Sequence, residues 1–402
     1  MTYDFTTILD RRGHDATALD SMGLGGGAPD LPAPGFDPIP MWVADMNFPV
    51  LPTITEAIER RLREPHFGYF EPRQEYLDAI VAWQRDRNGV EDLSPEHIGY
   101  ENGVLGGVVS AIEAFTAPGD AVLVHSPTYI GFTKSIENCG RRIVLSPLMQ
   151  DDAGVWRMDY ADMERKLVEE HIHAAVFCSP HNPVGRVWER AEIETAMELF
   201  RAHDCVVVSD EIWSDIIMPG HRHVPTQSVS ADARERTVAL YAPSKTFNLA
   251  GLVGSYHIIY GSYLRDRVRT QASKCHYNSM NMLSMYALMG AYTPEGRVWV
   301  DELRTVLNEN IQDACHIIDE RFDGTTTTHP EGTYMLFLDA SDWCAKHSCD
   351  VGELLRRGWQ VGVGWQDGRP FHGPCHIRMN LASPHSRVIE AFRRLEEHVF
   401  SA

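Results

Sequence analysis

Positive charge is scarce in this 402-residue chain: 36 Lys and Arg stand against 56 Asp and Glu, a formal net charge of -20. A surface this acidic repels phosphate backbones, so nucleic acid is excluded as a partner, and the excess charge serves solubility. Paired cysteines are missing too. The eight Cys are scattered with no C-x-x-C among them, Cys344 and Cys349 being the closest two. This points to free thiols in a reducing compartment rather than a disulfide scaffold. Long apolar runs are absent, and stretches such as 121–124 are far too short to span a bilayer. The opening residues, Met1-Thr-Tyr-Asp-Phe, have no basic segment leading into an apolar run, so no signal peptide is expected and the chain reads as cytoplasmic. Neither internal repeats nor low-complexity segments occur. No Gly-x-Ser-x-Gly elbow marks a serine hydrolase. The glycines at 23–27 lack the flanking strand and helix of a dinucleotide loop. His171, His173, His221 and His223 have no Cys or carboxylate at ligating spacing and read as surface histidines. Nothing pairs Cys275 with a base.

What is present is an ordinary globular composition, 44% hydrophobic and 23% charged, at a length that suggests a large domain plus a smaller one. The Gly- and Pro-rich stretch 23–40 predicts an irregular arm, followed by helices over 52–63 and 74–87. A strand–helix alternation then sets in. Strands are expected at 121–124, 174–178, 205–208, 237–241 and 255–260, and helices at 104–114, 190–203, 262–290 and 296–322. Continuous apolar strands alternating with helices imply an α/β fold with a mainly parallel sheet covered on both faces. From 332 onward, short strands at 334–338 and 376–380 mix with helices, as in a smaller α+β domain. The division expected is an N-terminal arm with part of the small domain (1–49), a large domain (50–290) and a C-terminal small domain (291–402).

In an open α/β sheet, ligands sit beyond the carboxyl ends of the strands. Three of the expected strands end in chemistry there. The first leads into Ser179-Pro-His-Asn-Pro-Val-Gly-Arg186, the second into Ser209-Asp-Glu-Ile-Trp213, and the third into Ala242-Pro-Ser-Lys-Thr-Phe-Asn-Leu-Ala-Gly251. An Asn, an Asp and a Lys thus reach one edge. Pyridoxal 5′-phosphate (PLP) calls for such a trio: an amine for its aldehyde, a carboxylate beside the ring nitrogen, and a neutral donor beside the ring hydroxyl. Singly, each residue is ordinary, since Asp caps helices and Asn-Pro marks turns.

These segments resemble the signature segments of the class I/II aminotransferase superfamily. More narrowly, they resemble its cystathionine β-lyase or cysteine-S-conjugate β-lyase branch. Trp42-Val-Ala-Asp-Met-Asn-Phe-Pro49, Phe67-Gly-Tyr69 and His376-Ile-Arg-Met-Asn-Leu-Ala382 support the narrower match, and the resemblance runs from about Asp10 to near the C-terminus. It implies the fold type I architecture, PLP as cofactor and a homodimer with shared sites. It also implies roles. Lys245 is the Schiff-base lysine and the base that moves the Cα proton. Asp210 partners the pyridine nitrogen, Asn182 contacts the ring hydroxyl, and Tyr129 stacks on the ring. Val104 and Leu105 offer backbone N–H groups to the phosphate, Ser244 adds a hydroxyl, and Tyr69 reaches the phosphate of the neighbouring subunit. Arg378 clamps the substrate α-carboxylate, with Trp42, Ala44 and Asn182 on the substrate side.

The sequence departs from the pattern in three places. Trp213 stands in the cofactor site where the branch often has His, Asn47 replaces a more usual Asp, and 15–20 lacks a Trp-Asp step. These changes suggest a pocket reshaped for a bulky cysteine conjugate. The reaction implied is α,β-elimination releasing a thiol, pyruvate and ammonia. An aminotransferase, a decarboxylase or oxidative deaminase on the same scaffold, and a binding protein with a vestigial site remain as alternatives.

Overall fold

Runs of consecutive apolar residues build the centre of the sheet, because a strand covered on both faces has no side that can be polar. The computed structural model describes residues 1–274 and 278–401. It divides into two compact units, one comprising 1–49, 182–185 and 301–402, the other 50–181 and 186–300.

The second unit holds an eight-stranded sheet: β1 (Ile98–Glu101), β2 (Ala121–Ser126), β3 (Arg142–Gln150), β4 (Trp156–Met158), β5 (Ala174–Cys178), β6 (Val206–Asp210), β7 (Thr237–Tyr241) and β8 (Ser255–Ile258), in the order β1-β8-β7-β6-β5-β2-β3-β4. The run β7-β6-β5-β2-β3 is parallel, while β8, β1 and β4 join antiparallel. Val122, Val124, Val176, Val208, Val238 and Leu240 are almost wholly buried. Burial of each such side chain contributes about 1.5–3 kcal/mol.

Some expectations need correction. The single helix expected over 262–290 is two, Ser262–Ser273 and Met282–Ala291, and residues 275–277, Cys275 among them, lie outside the described residues. Asn281 caps the second helix by accepting from Leu283 N–H at 2.8 Å, which marks a fresh start. Strands β1, β3 and β4 were not foreseen.

His223 is not on the surface. It is buried with Glu211, its Nε2 2.8 Å from Glu211 Oε2. His171, His173 and His221 are exposed. Among the described residues no His, Cys, Asp and Glu cluster could hold a metal ion. Seven described cysteines are free, and no described helix is long and apolar enough to cross a membrane.

Beside β1, Glu101 is fully buried and receives His257 Nδ1 at 2.7 Å, Ser110 Oγ at 3.1 Å and Asn278 Nδ2 at 2.5 Å. Glu101→Ala takes the shared acceptor from these three donors and breaks the buried pair with His257, so urea denaturation is expected to show a loss of about 3–5 kcal/mol.

The first unit carries a four-stranded antiparallel sheet: β9 (Thr326–Thr327), β10 (Met335–Asp339), β11 (Gln366–Asp367) and β12 (His376–Asn380), in the order β9-β10-β12-β11. The arm contributes Ile39–Pro40, which pairs in parallel with Val363–Gly364. Residues 182–185 belong to this unit through Gly185, whose carbonyl accepts from Glu331 and Gly332 N–H, both at 2.9 Å. Gly185 has φ +71°, and a Cβ there would meet Pro330 at 2.6 Å, so the approach demands glycine.

Candidate active site

Because β2, β5, β6 and β7 run parallel, their carboxyl ends share one edge of the large sheet, where polar residues follow the apolar runs. Asp210 is the last residue of β6 and is 5% exposed. Among the described residues its carboxylate takes one hydrogen bond, from Ile212 N–H at 3.1 Å. Burial dominates its ionisation and pushes the carboxyl up to about 7, against the opposing pull of the Ile212 N–H and the Lys245 charge. An underserved buried carboxylate of this kind suits a cationic ring nitrogen laid against it.

Glu211, one residue on, is the contrast. Its carboxylate is fully buried but accepts from Ser209 Oγ at 2.9 Å, Tyr241 OH at 2.5 Å and Thr226 N–H at 3.0 Å, besides His223. Burial alone would raise this carboxyl, yet these donors hold it below its ordinary value.

Lys245 lies on the short helix Pro243–Thr246, which opens two residues after β7. Thr246 Oγ1 donates to the buried Asp215 at 3.1 Å, and Asp215 also takes Trp83 Nε1 at 3.2 Å and pairs with Arg87 at 3.4 Å. The lysine's helix is thereby tied to the helix Gln74–Asn88. Lys245 itself is half-buried, its Nζ 5.6 Å from the ring of Trp213, which is 2% exposed.

After β2, Tyr129 precedes the helix Ile130–Asn138 and packs edge-on against Phe132 at 5.4 Å. A Cβ at Gly131 would sit 2.4 Å from the Tyr129 ring and 2.8 Å from Leu105, so only glycine lets both side chains settle there. Gly103, at φ +74°, turns the chain into the helix Gly103–Phe115, and Asn102 makes no side-chain cap on it. The first-turn N–H groups of Val104 and Leu105 have no carbonyl four residues back within the helix, which leaves an anion-binding end. Ser244 is half-buried beside Lys245, and Tyr69 is fully exposed.

In the first unit, Arg378 on β12 is 3% exposed. Its Nη1 donates to Asn182 Oδ1 at 3.3 Å, and its Nη2 donates to the Trp42 carbonyl at 3.1 Å and to Gln366 Oε1 at 2.5 Å. Below it lies the Phe371 ring, 4.3 Å from Cζ. The arm is laced to the same strands. Asn380 Nδ2 reaches the Val43 carbonyl at 2.7 Å, and Tyr334 OH reaches the Ala44 carbonyl at 3.1 Å. Trp42 Nε1 is spent on the Ala18 carbonyl at 2.9 Å. Asn47 accepts from Arg11 Nη1 at 2.9 Å and donates to Ser383 Oγ at 2.9 Å, so it braces the arm.

Residues 39–395 match the family model for aminotransferases of class I and II. The chain belongs to the class I and II aminotransferase family. Within that family it is similar to cystathionine beta-lyase PatB of Bacillus subtilis (strain 168), with 37% identity over 90% of this chain and 92% of that protein. It resembles protein MalY of Escherichia coli (strain K12) at 30% identity over 96% of each chain. Its structure is similar to that of cystalysin from Treponema denticola, which contains a pyridoxal 5′-phosphate cofactor, with a TM-score of 0.90 and 30% identity over 99% of each chain. Sequence reasoning had passed over Gly131, Asp215, Gln366 and Phe371. A glycine one residue into a helix after the Pro-Thr-Tyr segment was the visible sign of the first. The other three carry no local signal.

Proposed function

We propose that this chain is a PLP-dependent C–S β-lyase that cleaves L-cysteine S-conjugates to a thiol, pyruvate and ammonia. The buried Asp210, held at the end of β6 next to the strand that delivers Lys245, carries the reading. When bound, PLP supplies a protonated ring that draws electron density from the substrate Cα. Asp210 keeps the ring nitrogen protonated, and in doing so satisfies a carboxylate that burial otherwise pushes up to about 7. The amine of Lys245 would hold the cofactor covalently, and the same amine is the base placed to take the Cα proton. Tyr129 covers the ring, while Val104, Leu105 and Ser244 hold the phosphate. Arg378 binds the α-carboxylate. Asn182 has its oxygen turned to Arg378, so its Nδ2 is the group left to donate to the ring hydroxyl. Trp213 stands beside Lys245 where the branch often has His and changes the shape of the pocket; larger conjugates are the substrates this reading assigns to it. Tyr69, fully exposed in one chain, suits a second copy completing the site, and the free thiols suit a cytoplasmic homodimer.

The kinship with aminotransferases makes transamination the rival. Incubation with S-ethyl-L-cysteine separates the two. The lyase releases thiol and pyruvate in equal amounts with no 2-oxo acid added. A requirement for a 2-oxo acid, with no thiol released, overturns the reading. Across conjugates of graded size, kcat/KM is expected to be higher for benzyl than for cystathionine, and the reverse order removes the bulky-substrate part alone.

A further inference from the structure

A guanidinium has five N–H donors and no acceptor, so any amide side chain facing it must present its oxygen. Gln366 and Arg378 are directly opposed in the β11–β12 ladder, which puts both side chains on one face of the sheet. Their contact, Nη2 to Oε1 at 2.5 Å, is the shortest that Arg378 makes to the three acceptors named above. The two Nη2 protons are accounted for by the Trp42 carbonyl and Gln366 Oε1. A carboxylate that grips Arg378 with two parallel bonds takes one proton from Nη2 and the other from Nη1 (end-on) or Nε (side-on), so either grip needs Nη2. One of the two acceptors on Nη2 therefore has to yield. Trp42 contributes a main-chain oxygen, in a segment whose neighbours Val43 and Ala44 are themselves bonded to Asn380 and Tyr334. Gln366 contributes only the tip of a partly exposed side chain.

We infer that Gln366 is a placeholder for the substrate α-carboxylate. Its amide oxygen occupies Nη2 of Arg378 in the absence of substrate and swings off when a carboxylate binds. The inference rests on the reading of Arg378 as the carboxylate-binding residue. Phe371 is the fixed part of the device, since its ring lies 4.3 Å from Cζ and keeps the guanidinium plane in place while the amide leaves. The arrangement keeps a buried cation served between turnovers, at the cost of some affinity. Gln366 is thus a specificity-determining residue that sets the affinity for the carboxylate without touching the reacting atoms.

The test uses the holoenzyme and L-alanine, an α-amino acid with no leaving group on Cβ, with the dissociation constant read from the visible spectrum of the bound cofactor. Gln366→Leu removes the competitor and is expected to bind L-alanine about 3- to 10-fold more tightly, the size of one ordinary net hydrogen bond after exchange with water. Gln366→Glu installs a rival carboxylate and is expected to weaken binding at least about 30-fold. Ethylamine, which lacks the carboxylate, should bind both variants as it binds the parent. Weaker or unchanged L-alanine binding in Gln366→Leu, while Arg378→Ala still abolishes binding, overturns the placeholder alone. If Arg378→Ala leaves L-alanine binding intact, the reading of Arg378 fails and the placeholder falls with it.

Discussion

Lys245→Ala is expected to lower kcat for S-ethyl-L-cysteine by roughly 10⁴-fold or more while leaving the fold intact. Two functions are lost together: the covalent hold on the cofactor and the base for the Cα proton. A positioned base alone is worth about 10²–10⁴. The fold should survive because Lys245 is half-buried, whereas the neighbouring Thr246–Asp215 bond, which ties its short helix down, is unaffected. The measurement pairs turnover with borohydride reduction and peptide mapping. In the parent, reduction fixes the cofactor at position 245, and in the variant it fixes none. Turnover that persists in Lys245→Ala, or a label elsewhere in the parent, refutes the mechanism.

Asp210→Asn should cost about 10³-fold in kcat, since an amide cannot hold the ring nitrogen protonated, and it carries a second, opposite signature in stability. In the cofactor-free protein the Asp210 carboxyl is pushed up to about 7 by burial, from an ordinary value of 3.8. The folded state then binds a proton more tightly than the unfolded state, so stability falls as pH rises from about 4 through about 7. Three units correspond to about 4 kcal/mol as an upper figure. Asp210→Asn cannot ionise and escapes this loss. Relative to the parent, the cofactor-free variant is expected to gain stability progressively between about pH 4 and pH 8, and cofactor binding should erase the difference. Denaturant titrations at several pH values, with and without cofactor, check the sign. A difference that is flat with pH contradicts the buried, underserved carboxylate.

What was legible in the sequence follows from what each element must bury. Strands β2, β5, β6 and β7 are covered on both faces and so announce themselves as apolar runs, and the residues at their ends were readable for the same reason. β3 was not. It has Pro147 within it and two of its nine residues are buried, so no run marks it. The break between the helices Ser262–Ser273 and Met282–Ala291 was hidden because apolar residues resume after it without a Gly or Pro. His223 looked like a surface residue because its partner Glu211 lies twelve positions away and meets it only after folding. Gln366 and Asp215 escaped notice for a like reason. One is placed by strand pairing and the other by a helix that precedes it by more than a hundred residues, and neither relation leaves a local trace.

The unequal treatment of Asp210 and Glu211 bears on fidelity of assembly. Among the described residues one carboxylate collects four donors and its neighbour one. Sliding this strand by a single position against its neighbours would bring the wrong acid to the donors that lie off the strand and bury the other without them. The misaligned sheet is therefore heavily penalised. The same asymmetry that prepares an acid for chemistry also proofreads the strand on which it sits.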